Sequence, residues 1–369
     1  MRIAIITFHR AYNCGAMLQA WALKTVLERM GHTVEFPEGN DLGRLPPKSP
    51  LSARNRTGPL FRRVRSFCWR LVQTMCGKRM GVVTGTRYDR FRIKHLPETP
   101  LGMEELGQEF DVVLLGSDQV LNPRIVGWSS RFLCEEVSEE LPKVAYAASV
   151  GDGVLDDGWT SRILKALSGF RAVSVREPFC EYAAVADPTL LLTAEDYHVL
   201  YKDKKASPHG RYLFMYSCTF TDFEIGMARQ IACRLKLRLV IAHPWGRHCR
   251  RDVPEMVKTM SPELLVEYIA NAEYVIAGSF HATALSVLHG KKFITLRVQV
   301  DVGDSRPAAF LKRLGLMNRL VNPQTDIESA IVALTSSMPS TVSDILNTER
   351  IKSIRWLADA LESCGKGLR

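Results

Sequence analysis

The N-terminal segment constrains the fold of this chain more than any other part of the sequence. A short apolar run, Arg2 to Phe8, has the length of a buried strand and leads into a loop that contains Asn13 and Gly15. From Ala16 to Met30 apolar residues recur at helical spacing, and Thr33 to Phe36 is the next strand pattern. Strand, loop, helix and strand in this order predict a βαβ unit, and therefore a parallel sheet covered by helices.

The same alternation continues along the chain in two stretches separated by the polar run Lys202 to Gly210. The later strand patterns are Asp111 to Leu115, Val144 to Ala148, Ala172 to Val175, Tyr212 to Tyr216, Arg238 to Ile241, Tyr274 to Ala277 and Phe293 to Leu296. We therefore expect an α/β protein with a Rossmann-like domain over residues 1–200, a second one over residues 210–340, and a C-terminal helix over residues 341–369 that packs back. Two such domains face each other across a cleft, where the carboxyl ends of the strands bind ligands.

A basic insertion at about residues 40–95 interrupts the alternation. The chain of 369 residues has a formal net charge of +10, and twelve Lys and Arg against one acid, Asp89, lie between Arg54 and Lys94. From Leu60 to Val72 apolar residues and arginines interleave, as in a helix lying on a membrane surface. A helix packed on its own domain with a solvated basic face is the alternative. We expect residues 54–94 to contact an anionic membrane, and we expect no nucleic acid because the charge is confined to an insertion.

The sequence shows no pattern for secretion, membrane spanning, metal binding or dinucleotide binding. The N-terminus lacks a signal-peptide pattern, and no stretch approaches the roughly 20 apolar residues that cross a bilayer. Nine cysteines occur without a Cys-x-x-Cys pair, and we interpret them as small buried side chains in a reducing cytosol. The expected protein is cytoplasmic, peripheral on the inner membrane through its insertion, and needs neither a metal nor a cofactor.

The segment Gly278 to Thr283 is the most informative candidate site, because a strand ends there and a helix begins. Free N–H groups at a helix N-terminus favour an anion, which makes Ser279, His281, Ala282 and Thr283 candidates for binding an anionic donor. His281 would lie at the mouth of this site. The alternative is a histidine that only caps the turn.

Arg176 is the second candidate, since it directly follows the strand pattern Val173 to Val175. An arginine at the carboxyl end of a buried strand faces the cleft and offers a planar fork for a carboxylate or phosphate. A salt bridge with Glu177 is the alternative interpretation, and the pattern favours neither.

Two further loops offer polar groups suited to sugar hydroxyls. Asn13 and Gly15 stand at one loop-to-helix junction, and Ser117, Asp118 and Gln119 follow the strand pattern that ends at Leu115. For the second loop, a turn in which Asp118 bonds only to local backbone is equally consistent with the spacing.

Five segments, taken in order, resemble the polysaccharide pyruvyl transferase family. They are Phe8 to Leu23, Gly116 to Val120 with Asn122-Pro123, Ser174 to Glu177, Asp187 to Leu191, and Ser279 to His281. Together they cover most of the chain outside the basic insertion. The resemblance implies a glycosyltransferase-B-like fold and an enzyme that forms a pyruvate ketal on a sugar from phosphoenolpyruvate.

The resemblance also implies roles for individual residues. His281 matches the family's catalytic histidine, and Arg176 matches its phosphoenolpyruvate-binding arginine. The sequence departs from the family at Ala282, where many relatives have Gly, and at Leu121, where many have Trp. Some members carry a lysine about twenty residues after the histidine, where this chain has Asp301. Arg297 and Arg306 are the nearby candidates for a further cationic donor ligand.

We therefore expect a pyruvyltransferase acting on a surface polysaccharide or its lipid-linked precursor. One alternative is a nucleotide-sugar-dependent glycosyltransferase, since many of these carry two glutamates separated by seven residues, as Glu255 and Glu263 are. We attribute that spacing to chance, because Pro262 makes Glu263 part of a helix start. A nucleic-acid-binding protein without enzymatic activity, built around the basic insertion, is the second alternative.

Overall fold

The computed structural model describes residues 1–38, 85–127, 129–151, 155–203, 206–218, 220–246, 252–297 and 306–365. The interleaved segment from Leu60 to Val72 and the position of Asp301 lie outside these residues. Within the described ranges, no helix has the length and apolar character needed to cross a membrane.

The first half of the chain forms a parallel sheet of seven strands. In chain order the strands are β1 (Arg2–Ile6), β2 (Thr33–Pro37), β3 (Glu98–Thr99), β4 (Val112–Leu115), β5 (Lys143–Ala148), β6 (Ala172–Val175) and β7 (Ala183–Ala184). They lie side by side in the order β3-β2-β1-β4-β5-β6-β7. Every pairing is parallel, for example Ile3 opposite Val112, so all carboxyl ends share one edge.

The second half forms a separate parallel sheet of five strands. These are β8 (Tyr212–Ser217), β9 (Arg238–Ala242), β10 (Tyr274–Gly278), β11 (Lys292–Leu296) and β12 (Leu320–Val321), in the order β12-β11-β10-β8-β9. All four pairings are parallel. The prediction of two parallel α/β halves is confirmed. The bounds 1–200, 210–340 and 341–369 remain our proposed division of the chain.

Helices cover the faces of both sheets. They are α1 (Cys14–Arg29), α2 (85–95), α3 (Pro123–Val126), α4 (Asp157–Leu167), α5 (Ala194–His198), α6 (Asp222–Arg234), α7 (Pro262–Asn271), α8 (Phe280–Leu288), α9 (Arg306–Arg313), α10 (Ile327–Thr335) and α11 (Thr341–Gly365). A short 3₁₀ turn, Pro188–Leu190, follows β7.

Both ends of α1 follow from local sequence chemistry. The Asn13 side chain caps its N-terminus by accepting hydrogen bonds from the N–H groups of Gly15 at 2.9 Å and Ala16 at 3.3 Å. At the other end Gly31 has φ +86°, the left-handed conformation that ends many helices and that glycine adopts without strain. Met17, Leu18 and other apolar residues on several faces of α1 are buried, because the helix packs on the first sheet and against α7 of the second half.

The C-terminal helix α11 packs against the first sheet. The Trp356 and Tyr146 rings lie 6.0 Å apart, and the Ser353 hydroxyl accepts from the backbone N–H of Ala186 at 2.9 Å. Arg350 donates to the carbonyls of Leu190 and Leu192, both at 3.0 Å. The last helix therefore holds the segment that follows β7, which contains part of the candidate active site.

Candidate active site

His281 lies in the first turn of α8, directly after β10. The Ser279 side chain caps this helix by accepting from the N–H of Ala282 at 3.2 Å. The backbone N–H groups of Phe280 and His281 lie too close to the start of the helix to find an acceptor within it. They can therefore donate to another acceptor. The imidazole is buried, and its Nε2 has no hydrogen-bond partner among the described residues.

The carboxylate of Asp187 lies between His281 and Arg176. Its Oδ2 accepts from Nη1 of Arg176 at 2.8 Å and lies 3.6 Å from Nε2 of His281. Its Oδ1 accepts from the backbone N–H of Thr189 at 3.0 Å and from the Thr189 hydroxyl at 2.7 Å. Asp187 is only 1 % exposed. The molecule thus fixes one buried negative charge between two candidate catalytic groups.

Nearby charges keep both Asp187 and Arg176 ionised. Burial alone would raise the pKa of Asp187, but the nearby imidazole of His281 and the charge and hydrogen bond of Arg176 lower it well below its usual range. Burial likewise acts to lower the pKa of Arg176, yet the carboxylates of Glu177, Asp187 and Asp118 together raise it above its ordinary value. Asp187 is therefore a carboxylate and Arg176 a cation across the whole physiological pH range.

The Arg176 guanidinium contacts several side chains of the protein in addition to Asp187. Its Nε donates to Glu177 at 2.7 Å, and its Nη1 lies 3.6 Å from Oδ1 of Asp118. The guanidinium also stacks over the Phe280 ring, 4.7 Å from the centroid. Nη2 is buried and has no partner among the described residues. The salt bridge with Glu177, which was the alternative interpretation, is therefore present.

Arg306, at the start of α9, reaches the same place from the second half. Its Nη1 lies 3.9 Å from Oδ1 of Asp118. One end of the Gln119 side-chain amide lies 3.1 Å from both Nη1 and Nη2 of Arg306, which identifies that end as the oxygen. Arg297 directly follows β11, and its backbone N–H donates to Val321 at 2.9 Å. The structure thus brings Arg306, Asp118, Gln119 and Arg176 together.

Ser117, predicted to bind a sugar, has a different environment from its neighbours. It is fully buried, and its hydroxyl donates to the carbonyl of Ala147 at 2.9 Å. Its backbone N–H donates to Gln19 and its carbonyl accepts from the Thr7 hydroxyl. These bonds hold the loop after β4, so the geometry favours a structural role for Ser117. Asp118 adopts φ +70° in the same loop.

Ala282 and Thr283, predicted to bind the donor, face the protein interior. Both are fully buried, and the Thr283 hydroxyl is shared between the carbonyl of Ser279 and the hydroxyl of Thr295, each at 3.0 Å. Successive residues of a helix point about 100° apart, so the residues after His281 turn away from the site. Their geometry supports the placement of His281 rather than direct contact with a ligand.

Gly15 lies against the His281 side chain. A Cβ on Gly15 would be 2.2 Å from Nδ1 of His281 and 2.5 Å from its Cγ, far closer than two such atoms can approach. The Asn13 side chain is engaged in capping α1, as described above. The loop predicted to bind sugar therefore also makes room for the histidine.

Asp187 is the main site residue that had no predicted role. It follows β7, a strand of two residues, Ala183–Ala184, which is too short to show any apolar pattern in the sequence. The available signal was its place in a segment, Asp187 to Leu191, that resembles the family. Phe280 likewise lies in a family-like motif without a predicted role, although its ring stacks on Arg176.

Glu255 and Glu263 do not form a pair of ligand-binding glutamates. Glu255 makes a bidentate ion pair with Arg229 at 3.1 Å on the surface. Glu263 is buried in the first turn of α7, which Ser261 caps. Their different surroundings agree with the interpretation of the spacing as chance.

The cysteines and potential metal ligands give a mixed result. Burial raises the pKa of Cys14 and of Cys134 to about 12, so both are neutral thiols in the core. Cys180, Cys218 and Cys233 are exposed, which corrects the expectation that the cysteines are buried side chains. Among the described residues, no three His, Cys, Asp or Glu side chains are arranged to hold a metal ion.

The chain matches the sequence profile of the family described as "Polysaccharide pyruvyl transferase" over residues 13–299. It belongs to the polysaccharide pyruvyl transferase family. The match covers most of the chain, so the protein is a transferase of this family, and the resemblance drawn from five short segments is confirmed. A search among curated proteins finds no match to the sequence.

Several solved structures have a similar fold. The UDP-GlcNAc 2-epimerase of Methanocaldococcus jannaschii, solved with UDP-GlcNAc and UDP, aligns with a TM-score of 0.50 at 12% identity, covering 98% of this chain and 99% of the epimerase. The spinosyn forosaminyltransferase SpnP aligns with a TM-score of 0.48 at 12% identity, and the calicheamicin glycosyltransferase CalG4 with 0.47 at 14%, each over 98% of both chains. At such identities the likeness concerns the fold alone. The fold is glycosyltransferase-B-like, with two Rossmann-like domains.

Proposed function

We propose that this transferase moves the pyruvyl group of phosphoenolpyruvate onto a sugar of a surface polysaccharide, or of its lipid-linked precursor, as a pyruvate ketal. The observation that carries the proposal is the buried row Arg176, Asp187 and His281, in which Nη2 of Arg176 and Nε2 of His281 have no partner among the described residues. A guanidinium that can donate a hydrogen bond, next to a histidine, suits a substrate that is both an anion and a proton acceptor.

The donor carries a phosphate and a carboxylate, and three groups of the site can bind them. Arg176 offers Nη2, and Arg306 brings a second guanidinium from the other half. The N-terminus of α8 offers the N–H groups of Phe280 and His281 together with the positive end of the helix dipole. Arg297, which follows β11, is a further candidate. These groups would hold the donor anions on either side of the reacting carbon atoms.

The chemistry begins with proton transfer from His281 to the methylene carbon of the donor, which leaves an oxocarbenium-like carbon at C2. A sugar hydroxyl attacks C2 and returns a proton to the imidazole. The bond between C2 and the phosphate oxygen then breaks, and a second hydroxyl of the sugar closes the ketal while its proton leaves with the phosphate. One donor and one diol thus give one ketal and one phosphate.

Asp187 acts in this scheme as a positioning residue. Its carboxylate is held by Arg176 and by two bonds from Thr189, so its charge stays 3.6 Å from Nε2 of His281. A fixed negative charge stabilises the imidazolium and selects the orientation of the ring. Asp118 and Gln119, beside Arg306, remain our candidates for binding acceptor hydroxyls, with Asn13 and Gly15 at the edge of the site.

The alternative of a nucleotide-sugar-dependent glycosyltransferase has support only at the level of the fold, which does not determine function. Incubation with phosphoenolpyruvate and a panel of lipid-linked oligosaccharides tests the proposal. We expect an added pyruvyl ketal by mass spectrometry, one phosphate released per transfer, and no loss of activity in EDTA. Consumption of a nucleotide sugar in place of phosphoenolpyruvate, or a requirement for magnesium, would favour the glycosyltransferase.

We also propose that residues 54–94 hold the enzyme on an anionic membrane beside a lipid-linked acceptor. Of this stretch the structure describes α2, where Ile93 and Lys94 are exposed. Each Lys or Arg near such a surface is attracted by about 1 kcal/mol. Liposome co-sedimentation should require anionic lipid, weaken with salt, and decrease when Arg62, Arg63, Arg65 and Arg70 are all changed to Gln. Equal recovery of wild type and variant would refute the proposal.

A further inference from the structure

A polar cavity of about 400 Å³ lies between α2, α7 and the segment around Asp203, apart from the row that contains His281. Arg87 and Arg90 of α2 line one wall, and Ser261 and Glu263 at the start of α7 line another. Its lining thus comes from both halves of the chain and from the segment between them.

The charged side chains around this cavity do not form ion pairs with one another. Within the described part of the chain, Arg87, Arg90, Asp203 and Glu263 form no ion pair at 4 Å or less. Glu263 is only 8 % exposed, and its Oε2 has no hydrogen-bond partner there. A buried carboxylate oxygen without a donor is costly, so a ligand that supplies a hydrogen bond would be favoured.

Contacts that do not use these charges hold the walls in place. One turn along α7, Glu267 accepts from the N–H groups of Ala206 at 2.7 Å and Ser207 at 2.8 Å, and the Tyr268 hydroxyl donates to the carbonyl of Ala206 at 2.9 Å. On the opposite wall, the Tyr88 hydroxyl donates to the carbonyl of Pro244 at 3.0 Å. The cavity is therefore a built feature of the junction between the two halves.

The first turn of α1 contacts both α2 and His281. The Cys14 sulfur lies 3.0 Å from the hydroxyl of Tyr88, which neighbours Arg87, while Gly15 lies against His281. Helix α2, which lines one wall of the cavity, and the histidine thus contact the same turn of one helix.

We infer that this cavity binds a neutral sugar residue of the acceptor. Two guanidiniums balance two carboxylates, so neither an anion nor a cation is favoured. Sugar hydroxyls both donate to carboxylates and accept from guanidiniums, and Leu264 adds an apolar surface for a ring face. The volume falls within the roughly 300–1,000 Å³ of small-molecule sites. The inference rests on the proposed function, since it assumes a carbohydrate acceptor.

The test is binding of the full-length protein to an array of neutral and phosphorylated bacterial oligosaccharides, without phosphoenolpyruvate. We expect wild type to bind at least one neutral oligosaccharide, and Glu263→Gln to bind it about tenfold or more weakly, as does the double change Arg87→Gln and Arg90→Gln. Glu255→Gln is the matched control, because Glu255 pairs with Arg229 on the surface, and it should bind like wild type. Circular dichroism checks that each variant is folded.

Three results would overturn the inference: no neutral oligosaccharide bound by wild type, binding only of phosphorylated ones, or equal binding by wild type and Glu263→Gln. Since no donor is present, a failure of the pyruvyl transfer reaction would leave these results unchanged. The two proposals can therefore fail separately.

Discussion

The imidazole of His281 occupies the space that any side chain on Gly15 would need, since a Cβ there would lie 2.2 Å from Nδ1. The two residues come from different halves of the chain. Gly15 lies in the first turn of α1 on the first sheet, and His281 lies in the first turn of α8 beside the second. The close approach sets the position of the ring from one side, while Asp187 faces it from another at 3.6 Å.

Gly15→Ala should therefore displace the histidine. We expect turnover to fall by roughly 10²-fold, because catalytic groups misplaced by about 1 Å lose that much. Gly226→Ala is the control: Gly226 lies inside α6 with nothing within 4 Å of an added Cβ, so activity should stay and the melting temperature should rise slightly. Steady-state kinetics and thermal melts decide, and full activity of Gly15→Ala would show that the ring is free to move.

His281→Ala should lower turnover by roughly 10²- to 10⁴-fold, the usual loss when a general acid is removed. The fold should survive, because the ring lies at a helix start rather than in the hydrophobic core. Phosphate release from phosphoenolpyruvate in the presence of acceptor is the measurement. Near-normal turnover would leave His281 as a residue that only packs against Gly15.

Arg176→Lys should raise the Michaelis constant for phosphoenolpyruvate although the charge is kept. A lysine cannot replace at once the bonds to Glu177 and Asp187 and the free Nη2, because it lacks the planar fork. The matched control is Arg162→Lys, which changes an exposed arginine that pairs with Glu135. An unaltered Michaelis constant together with intact turnover would assign Arg176 to a purely structural role.

Asp187→Asn keeps the shape of the side chain and removes its charge. We expect turnover to decrease by roughly 10²-fold or more, with a smaller change in the Michaelis constant, because the imidazolium loses its neighbouring anion. The pH above which activity declines should move to lower values, which a merely structural residue would not cause. A pH–rate profile with the same limbs as wild type, at any level of activity, would contradict the positioning role.

The acid stability of the fold should depend on Glu98. Burial acts to raise its pKa, but bonds from His9 and Arg10 and the charge of Arg92 lower it to about 2. Because the folded-state pKa is below the unfolded value, this carboxylate stabilises the fold fully above about pH 5 and loses that effect as the pH falls toward 2. Glu98→Gln should lower the free energy of unfolding at pH 7 and converge with wild type near pH 2. Urea titrations would show this, with exposed Glu104→Gln as control; a constant difference at all pH values would refute it.

Much of the fold could be predicted from the sequence, because strands such as β5 and β10 are buried on both faces and form continuous apolar runs. The two-residue strands β3, β7 and β12 could not be predicted, since two residues show no periodicity. Asp187 follows one of these short strands, β7, and the sequence therefore predicts no role for it. Its partners are separated from it by 11 and 94 positions, and only packing brings them together.

The candidate site shows a further limit of predicting site residues from sequence motifs. The sequence predicts roles for Arg176 and His281 because each ends or opens a regular element at the cleft, and these roles stay predictions. Ser117 and Thr283 were included because they neighbour such residues, yet both side chains turn inward to bond with Ala147 and Thr295. Sequence adjacency predicts which loop contributes to a site, whereas the direction of each side chain depends on the packed backbone.

The division of the site between the two halves has a consequence for how the enzyme is controlled. Arg176 and Asp187 belong to the first half, and His281 and Arg306 to the second. A hinge motion that opened the cleft would separate His281 from Asp187 and Arg306 from Asp118. A bound donor would then be exposed to water but unreactive. Closure would reassemble all four groups in one movement. In the proposed reaction, the four groups would therefore be complete only in the closed state, and a reactive pyruvyl intermediate would form only while the cleft shields it from hydrolysis.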